Sequence, residues 1–495
     1  RLNLDQDSLR TGDYDLLDAL ARQLRPHLPT GALDAYTRQR DQALNQAAAI
    51  RQSALHGQIE QRAEQGAAIT DSPNSVSAEL NRRLAALRRQ VRTGLPWALA
   101  DGAAFLANRP CTLFVDTYEL VRQAADTEFR AWFEEQVLPA LLETLPGLRV
   151  VLAGREDLPF RADHHRRTTL RHWTRTESDH FLTTYGLTDP ALADAIYAHC
   201  AGHPLLTDLA HELWQTGRDT GQPLTPAELR RGIDHQAAAE WLFGRLIDRL
   251  PLELRVALRA AALLRELSLE AINALLDGAT PLDYAGYQRL LRFSFVQSAA
   301  GQPPRIHDLI RQTEEAWNRT HEPTRHLDLH QRAHTYYAAL GDAGLIDALY
   351  HHLALEPESA FQHWDQAVAE RLFLFDRTGQ KALLEMVRLP ERWSTLTPEQ
   401  RAKWFYRRGQ TAYYSDLWRA ALADYDEALA LFRTVGARLG EANVLKAQGD
   451  VLYFLKQTTE ALSKYDEALA LFRTVGDRLG EANVLKAQGD VLAFL

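Results

Sequence analysis

YDEALALFRTVGARLGEANVLKAQGDVLYFL, Tyr425 to Leu455, recurs as Tyr465 to Leu495 with changes only at Ala437/Asp477 and Tyr453/Ala493, which fixes a period of 40 residues. Apolar residues fall at helical spacing on either side of Gly436 and Gly476, so each unit reads as paired helices. Gly409, Ala421, Tyr425 and Ala428 are followed one period later by Gly449, Ala461, Tyr465 and Ala468. Small residues at those positions let paired helices approach closely. No unit buries its apolar face alone, so the units are expected to stack as a helical solenoid. The stretch Thr434-Val-Gly-Ala-Arg-Leu-Gly440 is the expected loop between helices. The last unit breaks off at Leu495, and Arg1 is no initiator, so both ends read as fragment ends.

Towards the amino end, residues 321–400 are helical in pattern with irregular spacing, a connector. Before it, apolar helices at Leu254–Leu264, Leu269–Leu276 and Tyr284–Leu291 precede a strand at Phe293–Val296, the turn Ala299–Pro304 and a strand at Arg305–His307. Three helices closed by a hairpin predict a winged helix. Amphipathic helices fill Glu177 to Leu250. Earlier still, Arg1–Leu4, Thr112–Val115 and Arg149–Leu152 are short apolar or β-branched runs separated by helical stretches. That alternation predicts a parallel sheet whose active edge lies where the strands end. The Ala-, Gln- and Arg-rich Tyr36–Gln65 segment reads as an inserted helix, and Asp71–Asn74 as a turn before Val76, Leu80, Leu84 and Leu87.

Composition narrows the function. The chain has 495 residues, 46% apolar and 24% charged, with a net charge of −9. It is long enough for several cores, and no basic surface advertises nucleic acid. Cys111 and Cys200 are the only cysteines; they supply neither a disulfide framework nor a cysteine-based zinc site and point to a reducing compartment, the cytoplasm. No apolar run is long enough to span a bilayer.

Chemistry concentrates at strand ends. In Cys111-Thr-Leu-Phe-Val-Asp-Thr-Tyr-Glu119 an apolar strand delivers Asp116 at its carboxyl end, with Glu119 three residues on. A carboxylate there suits a metal-bound water, and the second acid suits orientation of an attacking water; a plain strand end is the alternative. Arg149-Val-Val-Leu-Ala-Gly-Arg155 brings a guanidinium to the same edge, either as a phosphate clamp or paired with Glu156 or Asp157. Gly202 and Pro204 either bind a ligand or merely end one helix and begin the next, leaving His203 exposed. His307 is either a sensor or a helix-start histidine beside Asp308. His164-His165, beside Arg166-Arg167, reads as a solvated loop rather than a metal site, and no nucleophile elbow occurs.

The order of these motifs resembles the STAND class of P-loop NTPases, the AAA-related switch ATPases that include the NB-ARC and NACHT families. Phe114-Val-Asp-Thr-Tyr-Glu119 looks like their Walker B strand and Leu152-Ala-Gly-Arg155 like their sensor strand. Cys200-Ala-Gly-His-Pro-Leu205 looks like the helical-subdomain motif whose proline contacts adenine. Arg305-Ile-His-Asp-Leu-Ile-Arg311 looks like the winged-helix motif whose histidine reads the β-phosphate of ADP. The repeats follow the tetratricopeptide pattern, a frequent sensor in that class. The likeness covers residues 1 to about 320, with two departures: no Gly-x-x-x-x-Gly-Lys-Ser/Thr loop occurs, and Thr117 stands where many members carry a second acid. The missing Walker A loop is read as truncation.

The resemblance implies a truncated α/β NTPase core over 1–175, an all-α helical subdomain over 176–240, a winged helix over 241–320, a connector over 321–400 and tetratricopeptide repeats over 401–495. It implies a cytoplasmic signal-transduction switch controlled by ATP and ADP with magnesium, hydrolysing slowly as a complete chain and inactive as these residues alone. Asp116 (through water to magnesium), Glu119 and Arg155 are its expected catalytic residues, and Gly202, Pro204 and His307 its nucleotide contacts. A protein or peptide on the repeats and a homo-oligomer in the ATP state are the expected partners, with neither nucleic acid nor membrane. The alternatives are a non-catalytic repeat scaffold and a winged-helix transcriptional regulator.

Overall fold

Of residues 1–495, the computed structural model describes 2–3, 13–65, 75–116, 118, 127–154, 168–229, 233–276, 281–298, 303–374, 376–414 and 417–492. These are mostly helical and divide into two compact units, one of residues 1–160 and 361–495, the other of 161–360.

The amino-terminal part of the first unit holds β1 (Leu2–Asn3), α1 (Asp13–Leu24), α2 (Asp34–Gln65), α3 (Ser75–Ala103) and β2 (Cys111–Asp116). After them come α4 (Thr127–Trp132) and α5 (Leu138–Thr144), joined by the π-helical turn Phe133–Val137, and then β3 (Leu148–Leu152). The strands form one parallel sheet in the order β1-β2-β3, with Asn3 opposite Asp116 and Val115 opposite Leu152. Alternation decides the faces. Leu113 and Val115 are buried with Leu16, Leu99 and Val137, whereas Phe114 and Val151 on the other face are 49% and 40% exposed.

The second unit runs through α6 (Arg175–Thr184), α7 (Pro190–Cys200), α8 (Pro204–Asp219), α9 (His235–Arg249), α10 (Leu252–Ala261), α11 (Leu269–Leu275) and α12 (Tyr284–Leu290). It continues with β4 (Val296–Gln297) and β5 (Arg305–Ile306), which pair antiparallel, then α13 (Asp308–His321), α14 (Pro323–Ala339) and α15 (Leu345–Leu355). Local signals set the boundaries. Thr174 and Glu177 form a capping box before α6, Asp189 caps α7 ahead of Pro190, and Ser268 and Asp283 cap α11 and α12. One hydrophobic core runs from Leu182 to Ala348.

After α16 (Pro357–Phe373), the chain forms α17 (Arg377–Arg388), α18 (Pro390–Trp393), α19 (Pro398–Tyr413), α20 (Trp418–Val435), α21 (Arg438–Phe454), α22 (Thr458–Val475) and α23 (Arg478–Leu492). The extra length of the repeat lies in its helices rather than in the expected loop. Thr434 and Val435 still belong to α20, and Arg438 already opens α21, leaving Gly436 and Ala437 between them. Gly436 makes so short a link workable by taking the left-handed conformation, φ 72°.

Candidate functional site

Cys200-Ala-Gly-His-Pro204 reverses the chain between α7 and α8. Ala201 and Gly202 both take positive φ, 49° and 71°. Gly202 also lies against the backbone of Trp173, whose N–H donates to the Gly202 carbonyl at 2.8 Å, and a Cβ on Gly202 would sit 2.1 Å from the Trp173 oxygen. Only glycine fits there. Pro204, exposed, then opens α8 as its first residue, and Thr207 bonds back to the His203 carbonyl at 3.0 Å.

His203 is not the exposed residue that a bare helix break would leave. Its ring lies 5.4 Å from that of His172 and 5.0 Å from that of His235, centroid to centroid, and His172 and His235 are 4.8 Å apart. Its Nδ1 is buried with no hydrogen-bond partner among the described residues. Burial, then the charges of His235, His172 and His307, push its pKa down to about 4. His307, 104 positions away in sequence, therefore lies close enough to act on the α7–α8 reversal.

His307 itself follows β5 and caps α13. Its N–H donates to the Phe295 carbonyl at 2.8 Å, and its Nδ1 accepts the Leu309 N–H at 3.2 Å. An accepting Nδ1 places the proton of the neutral ring on Nε2. The segment leading into the hairpin is tied to α8 as well: Ser294 donates from its N–H (3.2 Å) and hydroxyl (2.8 Å) to Glu212 Oε2. Burial foremost, with the nearby Asp208 carboxylate, raises the Glu212 pKa to about 7 against the pull of the Ser294 bonds. Glu212, Ser294, His172 and His235 were not singled out from the sequence. The one sequence signal that could have pointed to any of them is the Asp208–Glu212 spacing of four on one helix.

In the first unit, Asp116 ends β2 at the carboxyl edge of the sheet, where the Ala153 N–H bonds to the Val115 carbonyl and the Tyr118 N–H to the Ala153 carbonyl, both at 2.8 Å. Tyr118 is turned into the core against Phe133 and bonds to Glu134, a structural role within the strand-end motif. Glu119 and Arg155 lie outside the described residues, as do Thr117 and His164-His165, and the Asp116 side chain is not described. A cavity of about 390 Å³, lined by Leu20, Leu24, Cys111, Leu145 and Leu148 among others, opens at the opposite, amino-terminal edge. Its lining is mostly aliphatic but includes Gln23, His27 and Arg109, and it lies at the edge away from Asp116. Cys200, deep in the core, has its thiol pushed up to about 12 by burial and is inert at neutral pH.

The carboxyl-terminal helices repeat their contacts as faithfully as their residues. A Cβ on Gly409 would meet the Tyr425 ring at 2.5 Å, and one on Gly449 the Tyr465 ring at 2.5 Å. Gln448 donates to Asp426 and Gln488 to Asp466, each at 2.7 Å; Arg433 pairs with Glu441 and Arg473 with Glu481, also at 2.7 Å. Residues 400–474 match the family model described as tetratricopeptide repeat. The array is a tetratricopeptide array. No curated protein matches the chain. Among solved structures, a Signal Transduction ATPase with Numerous Domains (STAND) protein with a tetratricopeptide repeat sensor, from Pyrococcus horikoshii, is similar at 12% identity and TM-score 0.36, over 86% of this chain and 73% of that chain. A superposition that loose carries no argument. No helix among the described residues is long and apolar enough to cross a membrane.

Proposed function

We propose that this chain belongs to a nucleotide-controlled signalling switch whose tetratricopeptide array receives a protein or peptide ligand. The observation that carries the reading is the reversal at Gly202–Pro204, where glycine alone fits and an exposed proline opens the next helix, with His307 of the same unit among the charges that act on its neighbour His203. Pro204 offers an exposed ring for an adenine, and His307, held by the Leu309 N–H at its Nδ1, is the residue proposed to read a distal phosphate. The unpartnered Nδ1 of His203 adds a buried polar atom that a bound polar group would satisfy. These features fit the base and the distal phosphate of ADP. The loop that cradles phosphates is absent from residues 1–495, and a complete site needs one. When bound with ATP, magnesium would supply charge neutralisation at the phosphates. Asp116 is the residue proposed to hold its water, with Glu119, three residues on, and Arg155, just after β3, as its proposed companions. In this reading residues 1–175 are the NTPase core, 176–240 the helical subdomain, 241–320 the winged helix and 321–400 the connector.

A second reading, a repeat scaffold without nucleotide chemistry, is favoured by the match of residues 400–474 to the tetratricopeptide-repeat model. The two separate on purification of the longest natural chain containing this sequence. Retained ADP, released faster by His307→Ala, and turnover lost in Asp116→Ala support the switch. A nucleotide-free protein that still binds its peptide supports the scaffold. A DNA-binding reading would need salt-dependent duplex affinity lost on changing Arg289 and Arg292.

A further inference from the structure

Three helices of the second unit bring a carboxylate and three imidazoles together away from the α7–α8 reversal. Glu315 lies on α13; His326 and His330, four residues apart, share one face of α14; His351 lies on α15. All four are at most 5% exposed. Glu315 Oε1 is 3.8 Å from His326 Nε2 and 3.6 Å from His330 Nε2, and the His326 and His330 rings meet edge to face with centroids 4.5 Å apart. On its far side, His330 Nδ1 lies 2.8 Å from His351 Nδ1. Among the described residues, Glu315, His326 and His330 are the one group of three metal-type ligands whose donor atoms all come within 4.8 Å of one another.

We propose that this cluster is a zinc-type metal site, with Glu315 Oε1, His326 Nε2 and His330 Nε2 as ligands. Zinc bonds of about 2.0–2.1 Å set tetrahedral ligand atoms roughly 3.3 Å apart. The two Glu–His separations need to close by only a few tenths of an ångström to meet that edge. Two imidazoles and one carboxylate suit a divalent first-row transition metal rather than magnesium or calcium, which take oxygen. The contact between His330 and His351 supplies the supporting bond that metal-bound histidines usually make. When His330 donates its Nδ1–H to His351 Nδ1, its Nε2 keeps the lone pair that a metal requires. The second Glu315 oxygen or a water would take the fourth position. Bound there, the metal would fasten α13, which His307 caps, to α14. Because the ligands are buried, the metal is expected to enter during folding.

The test uses the whole chain, refolded with and without zinc chloride, desalted and assayed for metal, with a parallel sample refolded in cobalt chloride. One zinc per chain, and a cobalt spectrum of the intensity typical of tetrahedral nitrogen and oxygen ligation, are expected. His330→Gln and Glu315→Gln should lose both. His351→Gln should retain one site with zinc affinity lowered about 10- to 100-fold. Wild-type protein that refolds without taking up zinc overturns the proposal, whatever the variants do, and leaves a cluster neutralised by protons. Zinc retained undiminished in folded His330→Gln and Glu315→Gln also overturns it, by placing the metal elsewhere.

Discussion

Glu212 and His203 sit on the same stretch of chain, yet pH acts on them in opposite directions. The raised pKa of Glu212, about 7, means that the folded protein holds a proton there which the unfolded chain gives up near the ordinary glutamate value. Its penalty is absent below roughly pH 4.5 and complete above roughly pH 7. Glu212→Gln keeps an acceptor for Ser294 and removes that penalty. The variant should be about 2 kcal/mol more stable than wild type at pH 8, with the gain largely gone at pH 5, as read from paired denaturant melts. Equal melts at pH 8 would show that the carboxylate is solvated. His203, pushed down to about 4, runs the other way. Between roughly pH 6.5 and 4 the unfolded chain binds the proton that the folded ring refuses, so stability falls as pH falls. Since the ring is partly exposed, screening leaves about 1 kcal/mol of that effect, and His203→Gln should flatten the acid limb by that amount. If a phosphate binds beside these rings, its charge favours the imidazolium. ADP binding should then take up a proton and tighten from pH 7 to 5.5, detectable by calorimetry in buffers of different ionisation enthalpy.

Burial in the array sets what each side chain contributes. Leu445 in α21 is 1% exposed. Leu445→Ala should cost about 2–4 kcal/mol, read from chemical melts of the variant beside the parent. Gly449→Ala should destabilise too, because the new methyl would meet the ring of Tyr465, a buried residue that cannot swing aside. The repeat was legible in the sequence because its signal is local: a period, small residues and a ring recur within one stretch of chain. The two longer strands were legible for the same reason, Thr112–Val115 falling within β2 and Arg149–Leu152 within β3, whereas the expected strand Phe293–Val296 is a turn that reaches β4 only at Val296. Where the repeat's extra length went was misread. Glycine within Thr434–Gly440 suggested a long loop, but one left-handed residue suffices, and the remaining positions extend the helices. The imidazole groupings were illegible because no periodicity relates His172 to His307 or Glu315 to His351. Only tertiary packing of separate helices brings such residues together.

At the scale of the molecule, a switch and a scaffold differ in one measurable quantity, the coupling between what the array binds and what the nucleotide residues bind. Moving a two-state equilibrium from 1:99 to 99:1 takes about 5.5 kcal/mol of differential affinity, and a tenfold shift about 1.4 kcal/mol. Whatever coupling exists is reciprocal. If an array ligand binds tenfold tighter to the ATP-loaded chain than to the ADP-loaded chain, it must raise ATP affinity relative to ADP affinity by the same tenfold. Under the proposed switch reading, the longest natural chain containing this sequence should show a peptide affinity that changes at least tenfold between ADP and a non-hydrolysable ATP analogue, matched by the reverse titration. His307→Ala should reduce that ratio towards one while leaving peptide affinity in the ATP state intact, since the substitution touches a residue of the second unit and none of the array. A ratio of one in the wild-type chain, with peptide still bound, would leave the array working alone, as a scaffold does.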